Sequence, residues 1–115
     1  MTGGLPRHER LTTSAGIQAL FQRGKRIDRP SMIVLWRETV EPRRVGFAVS
    51  RQVRGAVARN RARRRLRAAY RVARDAAPAC VALVIVGRPA ALRARFAALV
   101  AELREALATM PGGRA

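Results

Sequence analysis

The sequence predicts a small α/β fold, and three observations lead to this prediction. Segments with apolar residues at helical spacing alternate with short segments rich in β-branched and aromatic residues. They follow in the order helix, strand, strand, helix, strand, helix, which is typical of helices packed on a small sheet. Hydrophobic residues make up 49% of the 115 residues, enough for one modest core. We therefore expect one domain over residues 1–115, with flexible ends at residues 1–9 and 111–115.

A short amphipathic helix is predicted near the N-terminus. Ser14 is a residue type that caps helix starts, and Gly24 is a residue type that stops helices. Between them, Ile17, Leu20 and Phe21 are spaced at i, i+3 and i+4, which places them on one face.

Two strands are predicted from the segments "SMIVLWR" and "RVGFAVS", and the turn chemistry of Pro42 between them indicates an antiparallel pair. In the first strand both alternating sets of side chains are apolar. We therefore expect a sheet that is covered on both faces, or one whose second face is the floor of a binding site. An additional strand near Ile27 is compatible with the pattern.

The second half of the sequence predicts a helix, a strand and a further helix. Apolar residues recur at helical spacing between Ala56 and Ala77, and this helix should end before Pro78. The continuously apolar run "CVALVIV" predicts a buried strand. An apolar stripe from Leu92 to Met110 predicts the final helix.

The charge balance indicates a polyanionic partner. The chain has 24 basic and seven acidic residues, a net charge of +17, and every basic residue except Lys25 is arginine. Because arginine's planar, weakly hydrated group suits phosphates and exposed bases, the balance favours nucleic acid.

Membrane and secreted classes are not favoured. The longest apolar run, "ACVALVIV", is too short to span a bilayer, and the first ten residues lack the apolar core of a signal peptide. Cys80 is the only cysteine, so no intrachain disulfide can form. We expect a cytoplasmic protein with no membrane partner, in which Cys80 is a packed, inert thiol.

The long helix is predicted to have one apolar side and one charged side. From Arg51 to Arg74 there are ten arginines and no acidic residue. Such a helix is either a solvated face or a surface whose charge is neutralised from outside the chain, by RNA or by DNA. Since one Asn and no Gln accompany the arginines, phosphate binding and shape recognition of RNA fit better than base reading.

Candidate catalytic groups are sparse. The carboxylates are scattered, and Glu102 and Glu105 are expected on a solvated helix face. His8, the only histidine, is expected to be a surface residue rather than a general base. We do not expect the isolated chain to be catalytic.

One region resembles a known family. The segment "RVGFAVSRQVRGAVARNRARRRLRAAYR", from Arg44 to Arg71, is similar to the signature region of the bacterial ribonuclease P protein component, whose hallmark is an Arg-Asn-Arg triplet that starts a basic helix. "RLTTSAGIQALFQRG" resembles the family's opening helix, and "VALVIVGRPAAL" resembles its last strand and following turn. The resemblance implies a compact two-layer sandwich with a small mixed sheet. It also implies a left-handed crossover through the arginine helix between strands near residues 45–49 and 80–86.

The resemblance implies a function as well. In that family a catalytic RNA uses Mg²⁺ to hydrolyse a phosphodiester and remove the 5′ leader of precursor tRNA, and the protein binds both RNAs. The expected partners are therefore the catalytic RNA and precursor tRNA. The expected holoenzyme contains one monomeric protein and one RNA, with Mg²⁺ held mainly by the RNA.

Site residues are carried over from the family motif. Arg59, Arg61 and Arg64 are expected to contact the catalytic RNA. Asn60, Arg63 and Arg67 correspond to positions near RNA, leader and the metal-organising region. The complete expected RNA-binding set is Arg51, Arg59, Asn60, Arg61, Arg63, Arg64, Arg67 and Arg71.

A cleft for the single-stranded leader is expected between the first helix and one sheet face, at Ile17, Phe21, Ile33 and Leu35. Ile17 departs from the family because an aromatic residue is common there, and Gln52 stands where a second basic residue is frequent. Ordinary core packing is the alternative role for the cleft residues. Two rival functions also stay open, a structural RNA-binding protein such as a ribosomal protein and a DNA-binding protein.

Overall fold

The computed structural model describes residues 14–113 and confirms the predicted α/β class. Short 3-10 turns at Arg74–Ala76 and Pro89–Leu92 follow the second helix and the last strand. The expectations for residues 1–9, including His8, lie outside the described residues. The helices and strands are α1 (Ser14–Arg23), β1 (Lys25–Asp28), β2 (Met32–Glu38), β3 (Arg44–Val49), α2 (Ala56–Ala73), β4 (Val81–Gly87) and α3 (Phe96–Ala108).

The four strands form one mixed sheet in the order β1-β2-β4-β3. The additional strand near Ile27 is confirmed as β1. The predicted antiparallel pairing of the second and third strands is wrong, because β4 lies between them, antiparallel to β2 and parallel to β3. β4 is apolar throughout and almost entirely buried, so it is most stable at the centre of the sheet, where strands and side chains cover it on all sides.

A parallel pair cannot be joined by a tight turn, so the chain passes from β3 to β4 through α2. This crossover is the one that the family resemblance implies; its left hand stays a prediction. The crossover places the start of α2 just beyond the end of β3, which brings the arginine segment to one end of the sheet.

The main core lies between the sheet and the pair α2 and α3. Leu66 and Tyr70 of α2 and Leu103 of α3 are fully buried against Val34 and Ile85 of the sheet. Burying a side chain of this size stabilises the fold by about 1.5–3 kcal/mol. These contacts form the two layers of the sandwich.

The opposite face of the sheet is covered only in part. Leu20 of α1 packs there on Leu35, Val84 and Val86, and Ile33 is half-buried at the margin. The two-sided apolar pattern of β2 therefore has a structural explanation, because one face meets α2 and α3 while the other meets the short α1.

The helix ends differ from the sequence-based boundaries. α2 ends at Ala73, and a 3-10 turn completes the segment toward Pro78. α3 begins at Phe96 instead of Leu92, because the segment from Pro89 first forms a 3-10 turn and Arg95 is extended. Within residues 14–113 we find no helix both long and apolar enough to cross a membrane.

Two side chains differ from expectation. Cys80 is exposed, because it lies in the loop before β4 and not in the strand itself. Glu102 is half-buried and not simply solvated. Its Oε1 accepts a hydrogen bond from the Ser31 amide at 3.0 Å, and its Oε2 accepts one from the Ser31 hydroxyl at 2.8 Å. Ser31 is buried, so its polar groups require such a partner.

Candidate nucleic-acid interface

The loop between β3 and α2 carries the first exposed arginines. Gly55 has φ 90°, a conformation that other residues adopt only with strain, and it directs the chain from the loop into α2. Val53 anchors the loop, since its buried side chain packs against Val49 and Ala62. Arg51 and Arg54 on the same loop are exposed.

Arg59 holds this loop in place. Its Nη1 donates hydrogen bonds to the carbonyl oxygens of Ser50 at 2.9 Å and Val53 at 3.0 Å. Its Nη2 donates to the carbonyl oxygen of Val49 at 3.1 Å. The guanidinium is therefore engaged with three main-chain acceptors of its own chain. The structure gives Arg59 a structural role, and its contact with RNA stays a prediction.

The remaining arginines of the predicted set mostly face solvent. Arg51, Arg61, Arg64, Arg67 and Arg71 are exposed, as is Asn60. Arg63 is half-buried and donates a hydrogen bond from Nη1 to Oδ1 of Asn60 at 3.0 Å. The triplet and the residues after it thus lie together at the start of α2, as their spacing predicts.

Aromatic side chains of the core position the guanidinium group of Arg67. The guanidinium carbon of Arg67 lies 5.6 Å from the centroid of the Phe47 ring, a cation–π contact. Phe47 meets Tyr70 edge to face, with ring centroids 6.0 Å apart, and Tyr70 is fully buried. Arg67 is therefore positioned by the core while its charge stays accessible.

The acidic residues between 14 and 113 leave four arginines of this surface without an ion pair. In the part of the chain that the structure describes, ion pairs involve Asp28, Asp75 and Glu105 with arginines outside the triplet region. No carboxylate pairs with Arg51, Arg61, Arg64 or Arg67 there. Like charges along one helix repel. A polyanion bound from outside would relieve that repulsion.

Arg65 differs from its neighbours because it lies on the other flank of α2. Its Nε donates to the carbonyl oxygen of Ala91 at 2.9 Å, and its Nη2 donates to that of Ala94. Arg65 thereby fastens the 3-10 turn at Pro89–Leu92 to α2. Sequence reasoning missed the structural roles of Arg59 and Arg65. Helical spacing places Arg65 on the opposite flank of α2 from Arg64 and Arg67, but no residue-type signal identifies the carbonyl acceptors of Arg59 or Arg65.

The four residues of the predicted leader cleft differ in exposure, and their contact with a leader stays a prediction. Ile17, Ile33 and Leu35 belong to one apolar cluster on the α1 face of the sheet, where Leu35 is buried and the two isoleucines are half-buried. Phe21 is 53% exposed, which makes its ring the accessible aromatic surface of α1. The structure therefore brings three of the four residues together and leaves Phe21 open to solvent.

The described residues do not build a magnesium site by themselves. Mg²⁺ requires several oxygen ligands in near-octahedral geometry. Over residues 14–113 there is no cluster of three or more His, Cys, Asp or Glu residues that could hold a metal. Asn60 contributes one amide oxygen, and that oxygen accepts a hydrogen bond from Arg63. The single amide oxygen of Asn60 provides too few ligands for a Mg²⁺ ion held by the protein alone.

Together these features define a small basic α/β protein in which Arg51, Arg61, Arg64 and Arg67 have no carboxylate partner among residues 14–113 and lie near a partly apolar sheet face. Comparison with known proteins identifies the family. The family model for ribonuclease P matches residues 5–111. The chain therefore belongs to the ribonuclease P protein family, and its role is that of a protein component of this ribonuclease.

Individual relatives agree with this assignment. The ribonuclease P protein component of Gluconacetobacter diazotrophicus is 40% identical over 104 residues, covering 88% of this chain and 90% of the relative. That of Acidothermus cellulolyticus is 40% identical over 102 residues, covering 85% and 84%. The solved ribonuclease P protein of Thermotoga maritima superposes with a TM-score of 0.78 at 25% identity, covering 90% of this chain and 99% of that one.

Proposed function

We propose that the chain binds the catalytic RNA of ribonuclease P through the exposed arginines of α2, and the 5′ leader of precursor tRNA through the cleft beside α1. The holoenzyme then hydrolyses one phosphodiester bond and releases a tRNA with a mature 5′ end. The observation that carries this proposal is a set of arginines without carboxylate partners among residues 14–113, namely Arg51, Arg61, Arg64 and Arg67.

Electrostatics supplies the physical reason. Two RNAs repel each other when a precursor tRNA approaches a catalytic RNA, and condensed cations must shield that repulsion. Arginines that contact phosphates release such cations and lower the cost of bringing the RNAs together. The protein should therefore reduce the Mg²⁺ concentration that the RNA needs. We assign the hydrolytic Mg²⁺ to the RNA, with Asn60 as the position of this chain that approaches it.

The cleft provides selectivity between precursor and product. Mature tRNA has no leader, so any contact with a single-stranded leader favours the precursor over the released tRNA. The exposed ring of Phe21 can stack on a base, and such stacking stabilises binding by about 1–3 kcal/mol per base. In this proposal one monomeric protein joins one RNA, and tRNA maturation takes place in the cytoplasm.

Reconstitution tests the proposal. The full chain is combined with the candidate catalytic RNA of its genome and a precursor tRNA, and leader cleavage is followed over a Mg²⁺ titration. We expect cleavage at lower Mg²⁺ with the protein than without it, and none with the protein alone. An unchanged Mg²⁺ requirement together with unchanged leader-dependent affinity would contradict the proposal. RNA binding without an effect on cleavage would favour a structural RNA-binding protein, and retention on duplex DNA would favour a DNA-binding protein.

A further inference from the structure

A second group of arginines lies at the end of α2 opposite the Arg-Asn-Arg triplet. There, three parts of the chain surround a cavity of about 520 Å³, a volume that suits a small ligand. Arg74 at this end follows Arg61 by thirteen residues, so the cavity is roughly 20 Å from the triplet along the helix axis. The loop before β3, the end of α2 with its 3-10 turn, and α3 supply the lining, which consists of Arg43, Arg71, Val72, Arg74, Asp75 and Arg104.

Two of the four arginines are held in place by the chain itself. Arg43 donates hydrogen bonds from Nη1 to the carbonyl oxygens of Ala77 at 3.3 Å and Pro78 at 3.2 Å. Arg104 donates from Nη1 to Oδ1 of Asp75 at 3.1 Å, and from Nη2 to a carbonyl oxygen in the last turn of α2 at 3.0 Å. A guanidinium group has five N–H donors, so these two bonds leave Arg104 the capacity to bind a further acceptor.

The lining carries more positive charge than a helix end requires. Four arginines against one carboxylate, that of Asp75, give it a net charge of +3. Cations are favourable near a helix C-terminus, but the macrodipole supplies only about −0.5 charge there. Capping of carbonyl oxygens accounts for Arg43 and Arg104. Arg71 and Arg74, one turn apart, bring the lining to +3, and like charges at that spacing repel. A bound anion would offset this repulsion.

The composition of the lining favours phosphoryl groups. Planar guanidinium groups bind phosphate oxygens in pairs. No aromatic residue between 14 and 113 lines the cavity, and the apolar contribution comes from Val72, which is 51% exposed, so a base would find no stacking surface. A phosphomonoester group carries about −1.5 to −2 charge near pH 7, so two phosphoryl groups match a lining of +3. A carboxylate would supply a single charge.

From this arrangement we infer an anion-binding site at the C-terminal end of α2 that takes two or more adjacent phosphoryl groups. It lies beside α2 and α3, on the side of the sheet opposite α1. Adjacent phosphoryl groups occur in diphosphate compounds and in an RNA backbone. With RNA as their source the inference rests on the proposed function, whereas with a free diphosphate it is independent of that function.

Cys80 provides a local reporter for the test. It is the only cysteine of the sequence and is exposed, and it lies two residues after Pro78, whose carbonyl oxygen accepts a hydrogen bond from Arg43. An environment-sensitive fluorophore is attached to Cys80 of the full-length chain, which is titrated with pyrophosphate in Mg²⁺-free buffer. We expect a saturable change in emission. A response that does not saturate would overturn the inference.

Matched variants locate the binding. Arg74→Gln/Arg104→Gln is compared with Arg61→Gln/Arg64→Gln, which removes the same charge near the start of α2. We expect the first variant to lose roughly tenfold or more in affinity for pyrophosphate, since it removes charged hydrogen bonds. The second should change the affinity by less than about twofold, because Arg64 is roughly 15 Å from Arg74 and the Debye length is about 8 Å. Equal losses in the two variants would overturn the inference.

Two single variants separate binding from stability. Arg104 also bonds to the end of α2, so the double variant can melt at a lower temperature. Arg74→Gln keeps that bond and should still lose roughly threefold in affinity. Asp75→Asn removes the negative charge of the lining, so it should bind pyrophosphate roughly twofold more tightly, which a destabilised fold would not do. Circular dichroism melts accompany each titration. Unchanged affinity in both single variants would overturn the inference.

Titration with the candidate catalytic RNA identifies the source of the phosphoryl groups. Arg93→Gln, at an exposed position outside the cavity, is the single-charge control. If an RNA backbone fills the cavity, Arg74→Gln weakens RNA binding more than Arg93→Gln does, and RNA displaces pyrophosphate. If a diphosphate compound fills it, the two variants bind RNA equally, and pyrophosphate still changes the Cys80 emission in the RNA complex. Both results support the site. The pyrophosphate titrations use no cleavage assay, so they stand even if reconstitution fails.

Discussion

Arginines that look alike in the sequence have different roles in the folded chain. Arg59 donates three hydrogen bonds to the carbonyls of the β3–α2 loop, whereas Arg64, one turn further along α2, is exposed and unpaired among the described residues. The first stabilises the protein that presents the surface, and the second is free to meet a ligand. This contrast leads to a paired test.

We predict that Arg59→Ala lowers the free energy of unfolding by about 2 kcal/mol, since half-buried carbonyls of the loop lose a charged donor. Arg64→Ala should change it by less than about 0.5 kcal/mol, as is usual for an exposed side chain without partners. Denaturant unfolding followed by circular dichroism measures both. Arg64→Ala should nevertheless weaken assembly with the catalytic RNA. Wild-type binding by this variant at moderate salt would contradict its assignment to the interface.

Phe21→Ala should mainly reduce the preference for precursor over mature tRNA. The ring is 53% exposed, so little packing is lost, and we expect the free energy of unfolding to fall by less than about 1 kcal/mol. A lost stacking contact should cost about 1–3 kcal/mol of leader-dependent affinity. Binding measured with and without a leader tests this. If Phe21→Ala lowered the melting temperature as much as a substitution in the core does, the ring would act through packing instead.

At this scale the sequence predicts the positions of charges better than their partners. Spacing on a helix was sufficient to place Asn60, Arg64 and Arg67 on the exposed side of α2. It could not identify the acceptors of Arg59, because main-chain carbonyls are present at every residue and only the folded loop turns them inward. The partial burial of Glu102 was missed for the same reason, since Ser31 is distant in sequence.

Among the elements, the junction between α1 and β1 depends on Gly24. The sequence identifies it as a helix stop, and α1 does end at Arg23. The structural cause is close contact, not a positive φ angle. A Cβ atom at Gly24 would lie 2.6 Å from the carbonyl oxygen of Leu20 and 3.2 Å from that of Trp36. Both are main-chain atoms, so they cannot move aside without shifting α1 or β2.

We therefore predict that Gly24→Ala lowers the free energy of unfolding by about 1–3 kcal/mol through steric overlap. Gln22→Ala, an exposed position on the same helix, should change it by less than about 0.5 kcal/mol. Thermal and denaturant unfolding provide the measurement. Because α1 carries Ile17 and Phe21, Gly24→Ala should also weaken binding to leader-containing RNA. Equal stability of the two variants would show that the junction relaxes easily.

Strand identity was predictable, whereas strand pairing was not. β-branched and aromatic residues define β2, β3 and β4 within a residue or two. The short connection from β2 to β3 favours a hairpin if local information alone is used. The observed order depends on β4, which is far along the chain and needs cover on both edges and both faces. A single sequence gives no direct signal for whether β3 pairs with β2 or with β4.

Across the whole molecule, the net charge of +17 should make the proposed binding to RNA depend on ionic strength. We predict that the logarithm of the binding constant falls linearly with the logarithm of salt concentration, with a slope of roughly 0.7–0.9 per phosphate contact. Arg64→Ala should reduce the slope by about one contact. Filter binding over a salt series measures it. A slope near zero would show that phosphate contacts do not dominate the free energy of binding.

The central position of β4 also bears on how this protein is made. Within the described part of the chain β3 pairs only with β4, and residues 81–87 are synthesised after the whole of α2. On the ribosome, the arginine-rich helix must therefore emerge while the sheet beneath it is still incomplete. During that interval the nascent chain carries most of its positive charge without a completed core, and the core closes only after α3, whose Leu103 is fully buried, has also emerged.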